Sequence, residues 1–432
     1  MTAGRAIRAE ATLALAAFAA LCVVVLSVAP RPAEPDDGAY RASIVAMTDG
    51  HFLTLSARQA AHLAAKLGDN PTAPPNQWVE VANGRFISEK DPGYPFLGAP
   101  FQALGVIRMA PLFFGLLASL GLFVGARRWL GRFGGAATVA LYCSSGAAIA
   151  FAWRDYMPTF TDASLIACGS GLLLWSMLAT EASSRRRTAM GFAGFVALEL
   201  ATFVRYTNIV VLGIAVVAVS AVWLWRNAGL SLRSLCWWLV SVVIFGTGAA
   251  IFDDRVYGGP LTTGYQPGEV TFALNAVGPN ARLMPAHLMR AMPMLALGLI
   301  ALAWMTVRWL ALRRGESGAV ARRDLSVGAA LAASWFAIWG LYATYTWTTD
   351  PTSVTVQVVR FYVPALGEIA LLGAWLVTRI PGRARWTRLI PVAIVGTLFG
   401  LGVWSFYAMY GAFGVPLRSD RLVRVLLSGE FL

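Results

Sequence analysis

The feature that most constrains this chain is a series of long, almost uncharged apolar runs joined by short polar stitches. A run of about 18 residues can cross a bilayer as a helix, because a helix satisfies its own backbone hydrogen bonds inside hydrocarbon. The runs are Thr12 to Ala29 and then residues 103–125, 135–153, 163–181, 190–204, 208–225, 235–252, 289–307, 325–346, 362–379 and 389–409, with 190–204 the shortest. Of 432 residues, 57% are hydrophobic and 13% charged. Soluble domains carry about 25% charged residues, so a water-soluble domain is excluded, and the same apolar content excludes disorder. The expected fold is an all-α polytopic membrane bundle of about eleven transmembrane helices. It occupies residues 1–410, with a short outer-face tail at 411–432.

A formal net charge of +13 raises the question of a nucleic-acid partner, and the distribution of charge excludes one. Nearly all the cations are arginines in short loops between apolar runs, with Lys66 and Lys90 the only lysines. This pattern orients a membrane protein. With the N-terminus inside, Arg127, Arg128, Arg132, Arg185 to Arg187, Arg226, Arg233, Arg308, Arg313, Arg314, Arg322, Arg323, Arg379, Arg383, Arg385 and Arg388 all fall on the inner side, while most acids fall outside. Arginine-rich, lysine-poor composition suits a GC-rich bacterial genome, so a bacterial plasma membrane is expected. Ser27-Val28-Ala29 mimics a signal-peptidase site, but Pro30 follows the cut position, so the first run reads as an uncleaved span. Cys22, Cys143, Cys168 and Cys236 lie in apolar runs without metal or disulfide spacing and read as small buried hydrophobes.

Three outer segments are long enough to build a site: 31–102, 253–288 and 347–361. Within the first, Leu53 to Leu67 has an apolar helical stripe opposite Arg58, Gln59, His62 and Lys66. It suits a helix lying in the membrane interface, which is the reading preferred here, or one packed on the protein's own top. No internal repeat supports a transporter built on inverted halves.

Chemistry concentrates in these outer segments. Asp36 and Asp37 stand just beyond the first span, where a half-shielded carboxylate can serve as a general base or hold a divalent cation; a solvated acidic turn is the alternative. Asn83 to Pro95 encloses Lys90 in a stretch stiffened by Pro92, Gly93 and Pro95. Asp162 opens a helix, either as an N-terminal acid or as a site residue. Arg205 and Arg360 interrupt or open apolar runs at a depth where a charge needs a partner or a ligand. Each could pair with an outer acid. Together with Lys90 they form a cationic set suited to an anionic head group, since guanidinium donates bidentate hydrogen bonds to phosphate.

These motifs, in this order, resemble the GT-C superfamily of membrane glycosyltransferases, in particular the branch of protein O-mannosyltransferases and lipid A aminoarabinose transferases. The resemblance rests on Asp36-Asp37 with Tyr40, Asp49-Gly50, Asn83-Gly84 through Glu89-Lys90, Pro92-Gly93-Tyr94-Pro95, Asp162, Arg205-Tyr206-Thr207-Asn208, Tyr257 through Tyr265, and Arg360-Phe361-Tyr362-Val363-Pro364. Three departures stand out. Asp37 occupies a position where many members have Glu, Asp91 one where close relatives often have Pro, and the chain ends about 22 residues after its last span, which leaves no room for the soluble C-terminal domain of many members.

What the resemblance implies is an inverting sugar transfer on the outer face, from a polyprenyl-phosphate-linked donor to the hydroxyl of a glycan, lipid or protein acceptor, with membrane lipid around the bundle. Asp36 is then the expected base, Asp37 orients the acceptor or helps hold a metal, and Asp162 positions a substrate. Lys90, Arg205 and Arg360 bind the donor phosphate, and Tyr40, Tyr94, Tyr265 and Tyr362 line the substrate. No cofactor is required; a divalent cation (Mg, Mn or Ca) on Asp36 and Asp37 is compatible with the reading but not demanded by it. Two rival readings use the same residues: a lipid or sugar-lipid transporter, and a non-catalytic protein of envelope assembly.

Overall fold

A computed structural model describes residues 3–28, 35–70, 72–75, 77–81, 84–226, 231–265, 268–312, 315–380 and 389–411. Asn83, Pro30, the inner arginines 313, 314, 383, 385 and 388, and tail residues 412–432 lie outside the described residues. The helices, in chain order, are α1 (Ala3–Ser27), α2 (Pro35–Thr48), α3 (Ala57–Leu67), α4 (Gly93–Ala103), α5 (Met109–Leu130), α6 (Gly134–Cys143), α7 (Gly146–Ala152), α8 (Thr159–Leu178), α9 (Ser184–Val204), α10 (Ile209–Arg226), α11 (Leu232–Tyr257), α12 (Val277–Ala291), α13 (Leu295–Ala311), α14 (Gly315–Ala343), α15 (Thr355–Val359), α16 (Leu366–Thr378) and α17 (Ile390–Gly411). Three short strands, β1 (Thr54–Ser56), β2 (Trp78–Val81) and β3 (Arg85–Ser88), form one antiparallel sheet in the order β1-β3-β2.

Among the described residues, eight helices are long and apolar enough to cross a membrane: α1, α5, α8, α9, α10, α11, α14 and α17. Two bent pairs are long and apolar enough only when taken together: α6 with α7, bent by 63°, and the Leu274–Ala291 segment with α13, bent by 106°. A shorter apolar helix, Val363–Thr378, is buried along almost its whole length. Each of the eleven apolar runs contains one of these helices or pairs, and eight to ten of them are long and apolar enough to span. The sharper bend falls at Met292-Pro293, where proline cannot donate to the preceding turn and disfavours helix before it. It turns α12 away from the axis of α13.

Helices pack closely where side chains are smallest. Gly121 and Gly125 of α5 abut α8 so tightly that a Cβ on Gly121 would sit 2.7 Å from the Cys168 carbonyl oxygen. One turn on, Gly125 meets the backbone of Gly171. On the other side of α8, a Cβ on Gly169 would lie 2.8 Å from the carbonyl of Gly194 in α9. Small residues let backbones approach where lipid removes the hydrophobic drive for association. The triplet α5–α8–α9 is thereby a rigid plate, and α8 and α9 carry Asp162 and Arg205 at one of its ends.

The two ends of the bundle differ in chemistry. At one end Glu10 pairs with Arg127 and Arg128 with Glu181. There, buried Asp324 accepts from Trp129, Trp375 and Arg379, each at 3.1 Å, and has Arg308 and Arg323 nearby. The opposite end gathers α2, α3, α4, the sheet and the segments around 154, 205, 253 and 360.

One expectation needs correction here. The stretch Leu53 to Leu67 is not one interfacial helix. It begins as a strand and becomes helix at Ser56, which caps it reciprocally with Gln59. Its buried face, Ala60, Leu63 and Ala64, packs with Leu55 and Trp78 against Ala42, Val45 and Ala46 of α2, so the apolar stripe is covered by protein rather than lipid. The bundle is all-α as expected, and the three strands, of three or four residues each, are too short to show alternation in the sequence.

The glycine plate makes a prediction. Gly121→Leu should force α5 from α8 and destabilise the protein by at least about 1–3 kcal/mol, seen as a lower melting temperature in detergent. Gly396→Leu, where an added Cβ meets nothing within 4 Å, should melt like the parent. Equal melting of both variants would refute the packing argument.

Candidate active site

Asp36 and Asp37 open α2 behind Pro35, where acids suit the helix dipole. Neighbouring helical positions point about 100° apart, and the two carboxylates go different ways. Asp36 accepts from Lys90 Nζ at 3.0 Å and from Arg360 Nη1 at 2.7 Å. Asp37, 2% exposed, is taken by Arg154, whose Nε and Nη2 donate to its two oxygens at 3.2 and 2.6 Å. The solvated acidic turn is thus excluded, and Asp37 is held in a buried ion pair. Arg154 stands in the short connection between α7 and α8, and its pairing with Asp37 was not legible in the sequence.

Lys90 is delivered by the sheet. Strand β3 ends at Ser88, whose hydroxyl accepts from the Lys90 N–H at 3.2 Å and pairs with Ser43 of α2 at 2.8 Å. The buried ammonium also lies over the rings of Tyr40 (5.9 Å) and Tyr265 (5.3 Å), an arrangement that holds a cation in an apolar setting. Tyr265 reaches it because Gly264 rests on the backbone of Ser88 and Glu89, where a Cβ would come within 2.7 Å of Glu89 Cα.

Arg205 sits at the break between α9 and α10 in an extended backbone conformation. Its guanidinium donates to the Arg360 carbonyl at 3.2 Å and to Thr159 Oγ1 at 3.3 Å, and lies 3.5 Å from Asp162. Asp162, fully buried, also accepts from Asn208. Arg360 stacks over Trp347 (5.0 Å) and Phe361 (4.8 Å). Asp36, Lys90, Arg360, Arg205 and Asp162 therefore form one linked cluster, although they span more than 300 residues of sequence. Tyr40 and Tyr265 line it. Tyr94 lies behind Tyr40, edge-on at 6.1 Å, with its hydroxyl donating to the Asp155 carbonyl. Tyr362 is buried against Trp339 and Tyr342. Both belong to the walls.

Burial would raise the pKa of Asp36, but Arg360 and Lys90 outweigh it and hold the carboxyl well below its ordinary range. Folding thus favours the ionised form. That contribution to stability is complete above the ordinary carboxylate pKa and lost as the pH falls towards the depressed one. Asp91, between Lys90 and Pro92, behaves oppositely. Desolvation pushes it up to about 7, against the pull of Arg205 and Lys90 and with the help of Asp162 and Asp253.

The donor set does not fit a metal on Asp36 and Asp37. Their oxygens face different cations, and among the described residues no group of three or more His, Cys, Asp or Glu could hold a metal.

The fold is similar to those of solved membrane-protein structures. ArnT from Cupriavidus metallidurans in the apo state matches with TM-score 0.53 and 18% identity, over 90% of this chain and 64% of that one. The same ArnT bound to undecaprenyl phosphate matches with TM-score 0.52 and 16% identity, over 95% and 70%. The apo oligosaccharyltransferase of Archaeoglobus fulgidus matches with TM-score 0.51 and 11% identity, over 93% and 56%. This chain thus spans 64% of the apo ArnT chain, and at these identities the likeness is one of fold. No family model and no curated protein matches the sequence.

Removing Arg154 should strand a buried carboxylate. Arg154→Leu should destabilise the protein by about 3–5 kcal/mol, and Arg154→Leu with Asp37→Leu should recover much of that loss in thermal unfolding. If the double variant melts no higher than the single one, Asp37 is not the partner that matters.

Proposed function

We propose that this protein is a membrane glycosyltransferase of the outer rim of a bacterial plasma membrane. It moves a sugar from a polyprenyl-phosphate carrier to an acceptor hydroxyl on a glycan, lipid or protein, with inversion at the anomeric carbon. The N-terminus is cytoplasmic, because the arginine-rich end of the bundle lies opposite the site. The outer loops 31–102 and 253–288 build the rim, with Tyr40 and Tyr265 beside the substrate. The observation that carries this reading is the convergence of Lys90, Arg205 and Arg360 around Asp36 at one end of an apolar bundle.

The chemistry follows from the charges. A sugar phosphodiester carries one negative charge, and its departing phosphate monoester carries up to two. Cations fixed in a desolvated rim stabilise that growing charge without reorganising. Arg360 and Arg205 offer planar forks to phosphate oxygens, and Lys90 offers a point charge. Asp36 keeps Lys90 and Arg360 side by side against their mutual repulsion, and Asp162 does the same for Arg205. An aspartate of the same rim accepts the proton of the attacking hydroxyl.

Lys90→Met and Arg360→Ala should each weaken binding of undecaprenyl phosphate to the purified full-length protein by roughly 10- to 100-fold, the equivalent of one charged hydrogen-bonding group. Mass spectrometry of envelope glycans from cells with and without the protein should show one linkage lost. Asp36→Asn should lose that linkage while still binding undecaprenyl phosphate. Continued lipid translocation by Asp36→Asn, with no glycan change on deletion, would point to a carrier instead.

A further inference from the structure

In the half of the bundle away from the cationic cluster, α8, α10 and α14 leave a cleft between them. Stripes of the same helical spacing line it: Ala215, Ala218 and Val222 on α10, and Val327, Ala330 and Ser334 on α14. Small side chains at that spacing ordinarily let helices draw together in lipid. Here they border a space of about 430 Å³, within the ~300–1,000 Å³ of ligand pockets. Leu173, Leu174 and Met177 of α8 make a further apolar wall.

The polar lining sits at the two ends. Deep in the bundle, Ser170 and Ser334 both donate to Oε1 of buried Glu368, at 2.7 and 3.4 Å, so their hydroxyl hydrogens are already bonded. At the mouth stand Arg128 and Arg323, whose side chains are 33% and 44% exposed and so within reach of a head group. Arg128 pairs with Glu181. Arg323 lies 3.6 Å from Asp324, which also has Arg308 and Arg379 beside it. Arg128, Arg308, Arg323 and Arg379 thus meet only Glu181 and Asp324, four cations against two acids, which leaves two positive charges in excess among these groups. From Arg323 to Ser334 the cleft follows α14 for about 16 Å at the helical rise. Half of the roughly 30 Å hydrocarbon core of a bilayer has nearly the same depth.

We propose that this cleft seats an acyl chain of an anionic phospholipid from the leaflet on the arginine-rich side, with the lipid phosphate between Arg128 and Arg323. A space as deep as one leaflet, apolar along its walls and positive at its mouth, complements such a lipid at both ends. Basic pockets between spans take anionic head groups, and guanidinium donates paired hydrogen bonds to phosphate. The occupant differs from the polyprenyl phosphate of the proposed reaction, whose phosphate belongs with Lys90, Arg205 and Arg360 at the other end of the bundle. A chain in the cleft supplies the dispersion contacts that the facing small side chains do not make with one another. The lipid therefore stabilises the bundle, and the site stands whether or not the protein transfers sugar.

The test uses the full-length protein in a nonionic detergent, with dioleoyl phosphatidylglycerol and dioleoyl phosphatidylcholine as probes. Native mass spectrometry measures binding, and thermal unfolding measures stability. Phosphatidylglycerol should bind about 10-fold or more tightly than phosphatidylcholine and raise the melting temperature. Arg323→Gln should weaken phosphatidylglycerol binding by about 10-fold, the equivalent of one charged hydrogen bond, and Arg128→Gln with Arg323→Gln should bring the two lipids level. Ala330→Phe, which fills the cleft, should weaken both; if it does not fold, the arginine variants decide alone. Lys90→Met should leave phosphatidylglycerol binding as in the parent while weakening that of undecaprenyl phosphate. Equal binding of the two phospholipids by the parent, or parental phosphatidylglycerol binding by the double arginine variant or by folded Ala330→Phe, would overturn the proposal. Displacement of phosphatidylglycerol by undecaprenyl phosphate would overturn it too, by giving the cleft to the donor lipid. None of these readouts uses sugar transfer, so failure of the enzyme reading and failure of this one are told apart.

Discussion

The organising constraint of this molecule is that charges placed at the end of an apolar bundle must find partners. Asp36, Lys90 and Arg360 answer it together: one carboxylate lies between two cations that would otherwise repel each other in a desolvated space. Each comes from a different part of the chain, so the ion cluster ties α2, the sheet and the segment before α16 into one rim. Buried ion pairs are weak sources of stability, since desolvation offsets most of the attraction. The proposed function gives them another purpose, fixed positive charge at the rim.

The rim depends in turn on a rigid bundle. Glycine contacts between α5 and α8, and between α8 and α9, bring backbones together and set the depth at which Asp162 and Arg205 emerge. At the far end, Asp324 plays a comparable role among Arg308, Arg323 and Arg379, with two tryptophan N–H groups completing its shell. One end thus fastens the helices with a carboxylate surrounded by donors. The other gathers Lys90, Arg205 and Arg360 around Asp36 and Asp162.

Much of this was legible in the residues. Long apolar runs announce spans because hydrocarbon leaves the backbone no alternative, and every run contains a helix. Asp36, Lys90, Asp162, Arg205 and Arg360 were legible as a set because charges at membrane depth are rare enough to be informative. Other features were not. The partner of Asp37 could not be named, because any outer arginine satisfies the same sequence argument; Arg154 is chosen by the direction of one helical position. The covered face of α3 was misread because an apolar stripe looks the same whether protein or lipid lies against it. Asp91 registered only as a departure from a family pattern, since an acid beside a lysine carries no signal until its surroundings are known.

Sequence by itself determined that the chain crosses a membrane many times, which end carries the arginines, and which charged residues stand at the opposite end. Those are matters of local composition and length, readable along a line. Tertiary structure alone decided which charge meets which: Asp36 with Lys90 and Arg360, Asp37 with Arg154, and Asp91 with none among the described residues. Coulombic interaction and desolvation depend on separations of a few ångströms, and residues hundreds of positions apart acquire those separations only when the helices pack.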